Sequence, residues 1–226
     1  MSRTFGASSF CFNDADGIYS EQVAYTVALW VNRAAITTEQ ECFSEGSRSS
    51  TNPLFILRTG PTSGKAAVSI RNNAGGGSNP SNLTTALTVF DGTWHHLAFA
   101  QDAAGNFQVY VDGVADGTAH GTFVPGATTM SCVAVGAFRS TTTANTFNTG
   151  SCAHVATWSR QLAATEIASL AGGLLPSVLG PVHYWPLWGI DAAEPDLGSG
   201  HAALSLSAGP TAGASNPRTS LRLLTV

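Results

Sequence analysis

Apolar side chains recur at every second position along much of this chain, and this period constrains the fold more than any other feature. In residues 25–31, Tyr25, Val27, Leu29 and Val31 would share one face of a strand, because successive side chains of a β-strand point to opposite faces. The intervening positions are also largely apolar, which predicts a strand covered on both sides. Similar short runs occupy residues 54–57, 66–70, 97–100, 107–111, 133–135, 153–156 and 183–188.

Turn-forming residues separate these runs, and one segment departs from the β pattern. Asp16-Gly17, Asp91-Gly92 and Asp112-Gly113 favour tight reversals, because both residue types tolerate the positive φ that such turns need. Residues 162–170 instead have helical spacing and run into Gly172-Gly173, where glycine suits a C-terminal cap. We therefore predict an all-β antiparallel sandwich that carries one short surface helix.

The sandwich is predicted to be a single domain of residues 1–210, followed by a C-terminal tail of residues 211–226. All-β sandwiches of roughly 200–250 residues commonly form one unit. The tail becomes apolar at its end, over residues 221–226. It could be a strand of the domain, a frayed end, or a docking arm that adds a strand to a neighbouring subunit. Exposed strand edges and this apolar end also permit a homo-oligomer.

Charge and composition argue against several functional classes. The net charge is −4 and only 11% of residues are charged, and no run of lysine or arginine offers a surface to nucleic acid. No apolar stretch approaches the ~18 residues of a membrane helix. Residues 1–7 lack the apolar segment of a secretory signal, which predicts synthesis in a cytosol without a cleaved leader.

The four cysteines are Cys11, Cys42, Cys132 and Cys152, and no C-x-x-C pair occurs among them. They therefore lack the usual spacing of a zinc site. Buried free thiols are the favoured interpretation in a chain without a secretory signal. A Cys132–Cys152 disulfide is the alternative, because both cysteines flank the same loop.

Four passages together resemble the laminin-G-like branch of the concanavalin A-like lectin/glucanase superfamily. They are residues 25–31, residues 91–98 with the hairpin at 107–113, residues 135–138 with 153–167, and residues 184–200. The resemblance implies two packed, curved antiparallel sheets in a jelly roll, with a carbohydrate or protein site on the concave face or rim. Versions of this domain without a signal peptide are also similar to accessory proteins on bacteriophage virions. A shared fold does not by itself imply a shared activity.

The chain lacks the carboxylate motif that catalysis would need in this superfamily. Its retaining glucanases carry E-x-D-x-E or E-x-D-x-x-E, and retaining chemistry needs an acid and a nucleophile about 5 Å apart. Glu39, Glu41 and Glu45 come closest, but the middle aspartate is absent, and a solvated strand edge is the favoured interpretation. No G-x-S-x-G segment supplies a serine nucleophile. We therefore expect no enzymatic activity.

The histidines are interpreted as structural. His95 and His96 would point to opposite faces of a strand and could not chelate one ion together. His154 lies in an apolar run and is expected to be a hydrogen-bonded core residue.

Calcium is the one cofactor that the resemblance permits, although the fold does not require it. Laminin-G-like and pentraxin-like relatives often bind calcium through rim aspartates, asparagines and carbonyl oxygens. The candidate ligands are Asn13, Asp14, Asp16 and Asp102. The first three are clustered but lack the ligand spacing of an EF-hand loop, and Asp16 is equally well explained as a turn residue.

Aromatic side chains near predicted loops are the candidates for a carbohydrate site, which usually combines an aromatic platform with polar groups. These candidates are Tyr19, Phe123, Phe147 and Trp188. The other tryptophans are interpreted as core residues, since large aromatic side chains dominate the energetics of burial. They are Trp30, Trp94, Trp158 and Trp185.

These observations favour a non-enzymatic structural or decoration protein on the surface of a phage or virus particle, bound to a capsid or other virion protein. The alternative is a carbohydrate-binding, lectin-like adhesin module that recognises a host-surface glycan. A glycoside hydrolase is the third hypothesis, and the missing carboxylate motif argues against it.

Overall fold

The period-two runs form strands at the predicted positions. The computed structural model describes all residues except 1, 16, 18, 20–23, 76–82, 124–127, 142, 190–191, 214–216 and 218–226. In chain order the strands are β1 (Arg3–Thr4), β2 (Phe10–Asn13), β3 (Tyr25–Asn32), β4 (Glu41–Gly46), β5 (Leu54–Thr59), β6 (Ala66–Arg71), β7 (Leu83–Thr84), β8 (Trp94–Gln101), β9 (Asn106–Val111), β10 (Val114–Thr122), β11 (Cys132–Val135), β12 (Phe138–Ser140), β13 (Thr143–Asn145), β14 (Ser151–Trp158), β15 (His183–Trp185), β16 (Ala193–Glu194), β17 (Leu204–Ser207) and β18 (Thr211–Ala212). The helices are α1 (Ala164–Ala171) and a 3-10 helix at Pro176–Leu179.

Two antiparallel sheets form the sandwich. The first, called here the helix-side sheet, has the strand order β10-β9-β8-β3-β14-β1-β18, and β15 also pairs with β14. The second, the cleft-side sheet, has the order β16-β17-β2-β11-β4-β5-β6-β7. Strands that are distant in sequence therefore lie side by side, as in the pairing of β3 with β14. This architecture confirms the predicted fold class.

The main core lies between the inner faces of the two sheets. Aromatic rings cross the interface, with the ring centroid of Phe55 lying 5.4 Å from that of Tyr25 and 5.0 Å from that of Phe99. Both contacts are edge-to-face, an arrangement worth about 0.5–1.5 kcal/mol beyond the area that the rings bury. The inner faces of β3 and β5 thus hold the sheets in a fixed relation.

A second apolar layer explains why both faces of β3 are apolar. Ile167 and Leu170 of α1 pack against the outer face of the helix-side sheet, where Ala28 and Trp158 are buried. The first turn of α1 is stabilised by Glu166, whose Oε2 accepts a hydrogen bond of 2.8 Å from the backbone N–H of Ala163. The predicted surface helix is therefore confirmed, with ends that differ by one or two residues.

A buried ion pair links β1 to β16. Arg3 of β1 pairs with Glu194 of β16, and both side chains are almost completely buried. Arg3 Nη1 also donates to the carbonyl of Pro210 at 2.7 Å. The sandwich extends two residues past the predicted boundary at 210, because β18 pairs with β1. Nearly all of the predicted docking arm lies outside the described residues, and its role stays a prediction.

The four cysteines are buried and free, in agreement with the favoured interpretation. Burial raises the pKa of the Cys132 thiol to about 11, which keeps it protonated and unreactive at neutral pH. Within the described part of the chain, no helix is both long and apolar enough to cross a bilayer.

The Arg3–Glu194 pair is predicted to be a strong contributor to stability. Glu194→Ala would leave a buried guanidinium without its carboxylate, a loss that costs roughly 3–5 kcal/mol of unfolding free energy. Chemical denaturation of the variant and the wild type measures this loss. The matched control is Glu166→Gln, which weakens the more exposed pair between Glu166 and Arg160 and should cost about 1 kcal/mol or less. Equal losses in the two variants would contradict the prediction.

Candidate functional site

The antiparallel register brings the ends of five neighbouring strands together at one end of the cleft-side sheet. Asn13 pairs with Val133, Cys132 with Gly46, and Gly46 with Leu54, which in turn pairs with Arg71. The loops that leave these strands enclose a cleft of about 390 Å³. The cleft, called here the end cleft, is lined by Ser47, Ser49, Ser50, Asn52, Pro53, Asn73, Thr129 and Ser131.

Hydrogen bonds between the loops fix the polar groups of the end cleft. Asn73 and Thr129 bond reciprocally, with Asn73 Nδ2 donating to Thr129 Oγ1 at 3.1 Å and Thr129 N donating to Asn73 Oδ1 at 2.9 Å. Ser131 Oγ accepts from the backbone N–H of Arg48 at 3.0 Å. The site is therefore organised before any ligand binds.

Asn52 leaves one hydrogen-bonding atom unused in the cleft. Its Oδ1 atom is buried and has no hydrogen-bond partner. A Cβ atom at Gly75, which has a φ of +72°, would lie 2.6 Å from Asn52 Nδ2, so glycine is needed for this close approach. A buried acceptor without a partner costs roughly 1–3 kcal/mol.

The charged groups beside the end cleft are one carboxylate, Asp14, and two guanidinium groups, Arg48 and Arg139. Asp14 accepts a hydrogen bond of 2.6 Å from Arg139 Nη2 and lies 3.3 Å from Arg48 Nε. The hydrogen bond from Arg139 holds the pKa of Asp14 below its usual value. The Arg139 guanidinium also stacks over Phe12, 4.0 Å from the ring centroid. The Arg139 guanidinium therefore contacts both the Asp14 carboxylate and the half-buried ring of Phe12.

This geometry suits an uncharged, hydroxyl-rich ligand. Seven of the eight lining residues contribute a hydroxyl or an amide, and none carries a charge. The volume lies within the range of about 300–1,000 Å³ that is usual for small-molecule sites. Among the described residues that line the cleft, none has a carboxylate to serve as an acid or a nucleophile.

The three glutamates considered for catalysis lie in three different environments. Glu45 lies in the core, where its two oxygens accept hydrogen bonds from Tyr25 Oη at 2.7 Å and Tyr19 N at 2.8 Å. Glu39 is exposed and pairs with Arg58. Glu41 is buried, and desolvation raises its pKa to about 7. The predicted solvated strand edge is therefore wrong for Glu41 and Glu45, because both carboxyl groups point into the protein.

Of the proposed calcium ligands, Asn13 and Asp14 lie beside the end cleft. Their side-chain oxygens already interact with groups of the protein. Asn13 Oδ1 accepts from Ala15 N at 2.8 Å, and Asp14 faces two guanidinium groups, which repel a cation. Asp102 closes its own hairpin by accepting from the N–H groups of Ala104 and Asn106. Asp16 is outside the described residues. Among the described residues, no cluster of three or more His, Cys, Asp or Glu could hold a metal.

Two of the four predicted sugar-stacking aromatics are in the core, and the prediction is wrong for them. Tyr19 is fully buried, and its hydroxyl donates to Gln101 Oε1 at 2.9 Å. Phe123, which directly follows β10, is also buried and belongs to the main core. Phe147 and Trp188 are half-buried, and Phe147 packs against Phe10 at 5.8 Å between ring centroids.

Several residues of the site were missed by sequence reasoning. The serines and Asn52 lie in a loop whose composition indicates only a turn-rich connection. Phe12 could have been found, because alternation in β2 puts Cys11 into the core and Phe10 and Phe12 on the opposite face. The pairing of Asn73 with Thr129 joins positions 56 residues apart, and no local pattern reports such a contact.

The histidines differ from one another more than the sequence indicates. His95 lies at the sheet end, 2.7 Å from Asp112 Oδ2 through its Nδ1 atom. His96 and His154 are buried on the outer face of the helix-side sheet, and desolvation lowers the pKa of each to about 4. Trp158 and Trp185 are buried as predicted, but Trp30, beside these two histidines, and Trp94 are only half-buried.

The chain belongs to the Concanavalin A-like lectin/glucanases superfamily. Residues 6–168 match a laminin G model of the Concanavalin A-like lectin/glucanases superfamily. No curated protein sequence matches the chain.

Solved structures share the fold. A candidate carbohydrate-binding protein from Bacteroides ovatus superposes with a TM-score of 0.67 and 14% identity; the match covers 91% of this chain and 57% of that one. A second match is domain 4 of AbnA, a GH43 extracellular arabinanase from Geobacillus stearothermophilus, in complex with arabinotriose. Its TM-score is 0.51, with 26% identity and 70% coverage of each chain. The CBM40 of Ruminococcus gnavus IT-sialidase, bound to α2,3-sialyllactose, superposes with a TM-score of 0.58 and 15% identity. The match covers 76% of this chain and 98% of that domain.

The buried His154 is predicted to make the protein sensitive to acid. Its pKa is about 4 in the folded state, against an ordinary pKa of about 6.5, so protonation favours the unfolded state as the pH falls below 6.5. His154→Asn, which tolerates the φ of +50° at this position, should reduce the loss of unfolding free energy between pH 7.5 and pH 5 by about 2 kcal/mol. Urea denaturation at the two pH values measures this change. An unchanged pH dependence would refute the burial of a neutral imidazole.

The buried Glu41 is predicted to act in the opposite direction. Its pKa is about 7 in the folded state, against an ordinary pKa of about 4.5, so stability is lost as the pH rises from 4.5 towards 7. Glu41→Gln removes this loss and should therefore make the protein relatively more stable at pH 7.5 than at pH 5, by about 2 kcal/mol compared with wild type. The same denaturation series tests this. A shift in the same direction as that of His154→Asn would contradict the account.

Proposed function

We propose that this chain, which belongs to the Concanavalin A-like lectin/glucanases superfamily, is a non-catalytic module that binds a neutral glycan in the end cleft. The observation that carries the proposal is the buried, unpartnered Oδ1 atom of Asn52, in a cleft lined by hydroxyl and amide groups. Sugar hydroxyls both donate and accept hydrogen bonds, so they complement such a lining. A charged substrate would find no opposite charge among the lining residues.

Relatives with this fold support the assignment. One binds arabinotriose and another binds α2,3-sialyllactose, so glycan binding occurs on this type of sandwich. The arabinotriose-bound domain is 26% identical to this chain, and arabinotriose is uncharged, as the end cleft requires. Arabinotriose is therefore the first ligand to test.

The positions of the glutamates support a binding role over hydrolysis. Retaining hydrolysis needs two carboxyl groups that face each other about 5 Å apart across the substrate, and inverting hydrolysis needs them roughly 6.5–9.5 Å apart. Here Glu45 is bonded to two tyrosines in the core, and Glu39 is held by Arg58. A module of this kind would target a partner enzyme or a particle to a glycan without cleaving it.

A role on a virion surface stays a prediction from the sequence. No feature of the described fold favours a capsid partner, whereas the polar cleft and the relatives favour a glycan. A virion role and glycan binding are compatible only if the glycan lies on the surface to which the virus particle attaches.

A glycan array followed by calorimetric titration tests the proposal. We expect a neutral oligosaccharide to bind, and Asn52→Ala and Asn73→Ala each to weaken the affinity about tenfold through loss of one hydrogen bond, roughly 1.4 kcal/mol. Asn106→Ala is the matched control, since Asn106 also makes side-chain hydrogen bonds in a loop but lies outside the cleft.

Three outcomes would count against the proposal. They are the absence of any glycan ligand on the array, an equal loss of affinity in Asn106→Ala, and cleavage of the bound oligosaccharide. Titration with EDTA present should leave the affinity unchanged, because the Asp14 carboxylate is paired with two guanidinium groups, which disfavour a metal ion there.

A further inference from the structure

A second pocket lies on the opposite face of the molecule, between α1 and the outer face of the helix-side sheet. Trp30 of β3 lies in its floor, flanked by His96 of β8 and His154 of β14, and Leu170 and Leu174 form its helix side. This helix-side pocket is small, about 10 Å³, which is room for roughly one water-sized group.

A β-bulge places His154 in this pocket. Ala153 pairs with Trp30 and Ala156 with Ala28, so two residues of β14 lie opposite one residue of β3. His154 is the bulged residue with a φ of +50°, a conformation that is rare for residues other than glycine and asparagine. Bulges of this kind redirect a side chain and often occur at functional sites.

Both histidines in the pocket have a nitrogen without a partner. His96 Nδ1 and His154 Nε2 are buried and form no hydrogen bond, and the two residues are only 2% and 7% exposed. The other ring nitrogen of His154 is fixed at 2.8 Å from the Tyr184 hydroxyl. Two such orphan atoms in one pocket are costly to leave unpaired, which indicates that a polar group occupies this space in the functional state.

The size and charge of the pocket determine which kind of polar group can bind the two unpaired imidazole nitrogens. Desolvation keeps both imidazoles neutral at physiological pH, so the pocket offers no attraction to an anion. A hydroxyl oxygen has the size of a water molecule and both donates and accepts, so it satisfies either tautomer of either ring. Trp30 is half-buried, and its accessible part offers an apolar surface next to the orphan nitrogens.

We propose that the helix-side pocket is a second saccharide-contact site, in which Trp30 supports a sugar ring and one hydroxyl group enters to bond His96 Nδ1 or His154 Nε2. This inference extends the proposed glycan binding to the face opposite the cleft-side sheet. The protein would then contact a polysaccharide at two separate places, and two weak contacts to one polymer increase its apparent affinity.

Nitrogen-resolved NMR of the histidine rings in the full chain tests the proposal with glycerol and arabinotriose as probes. Both probes should shift the signals of His96 Nδ1 and His154 Nε2 at pH 7.5, while those of His95, which lies outside the pocket, stay in place. Leu174→Trp fills the mouth of the pocket and should abolish the shifts without removing either histidine. Leu175→Trp is the matched control at a neighbouring position that does not line the pocket, and it should leave the shifts intact.

The outcomes separate this inference from the proposed function. Unmoved histidine signals together with arabinotriose binding that depends on Asn52 would overturn the second site and leave the end cleft standing. Shifts that persist in Leu174→Trp would also overturn it. A glycerol response that Leu174→Trp removes, in a protein that binds no glycan on an array, would support a hydroxyl pocket and refute the wider glycan function.

Discussion

The structure depends on the burial of apolar side chains between two sheets whose strands are apolar on alternate positions. Tyr25 and Phe99 on one sheet and Phe55 on the other meet edge-to-face in the centre of the core, and a one-residue slip of any of these strands would turn its apolar set outward. The register is therefore fixed by burial. Because it is fixed, the strand ends stop at defined positions, and the loops beyond them have a rigid base.

Both candidate sites are consequences of this frame. The end cleft exists because five strands of the cleft-side sheet end together, and its loops then bond to one another through Asn73, Thr129 and Ser131. The helix-side pocket exists because β3 is apolar on both faces and α1 covers the second face incompletely. The sites differ in character: the first is open and lined by hydroxyl and amide groups, whereas the second is nearly closed and offers two neutral imidazoles and a tryptophan. Among the described residues that line the two sites, none has a carboxylate.

Sequence reasoning predicted the frame better than the sites. Alternation and turn residues predicted eight of the strands, the helix α1 and the fold class, because these depend on local periodicity and on burial. Proximity to a loop did not predict exposure of an aromatic side chain, since Tyr19 and Phe123 are core residues. Trp30 was assigned to the core because it is large, yet it lies on the outer face of its strand, where cover is partial. The contacts that define the end cleft join distant positions, and the bulge at His154 depends on the pairing of β14 with β3. Neither can be derived from a local pattern.

The central claim is that a fixed sandwich presents an uncharged, preorganised cleft to a glycan. A crystal structure of the protein with arabinotriose, or with the oligosaccharide that binds best, tests it most directly. The account predicts a sugar ring in the end cleft with a hydroxyl group within hydrogen-bond distance of Asn52 Oδ1, and no movement of the strands beneath it. A sugar bound instead between Glu39 and Glu41, with both carboxyl groups turned towards it, would contradict the claim.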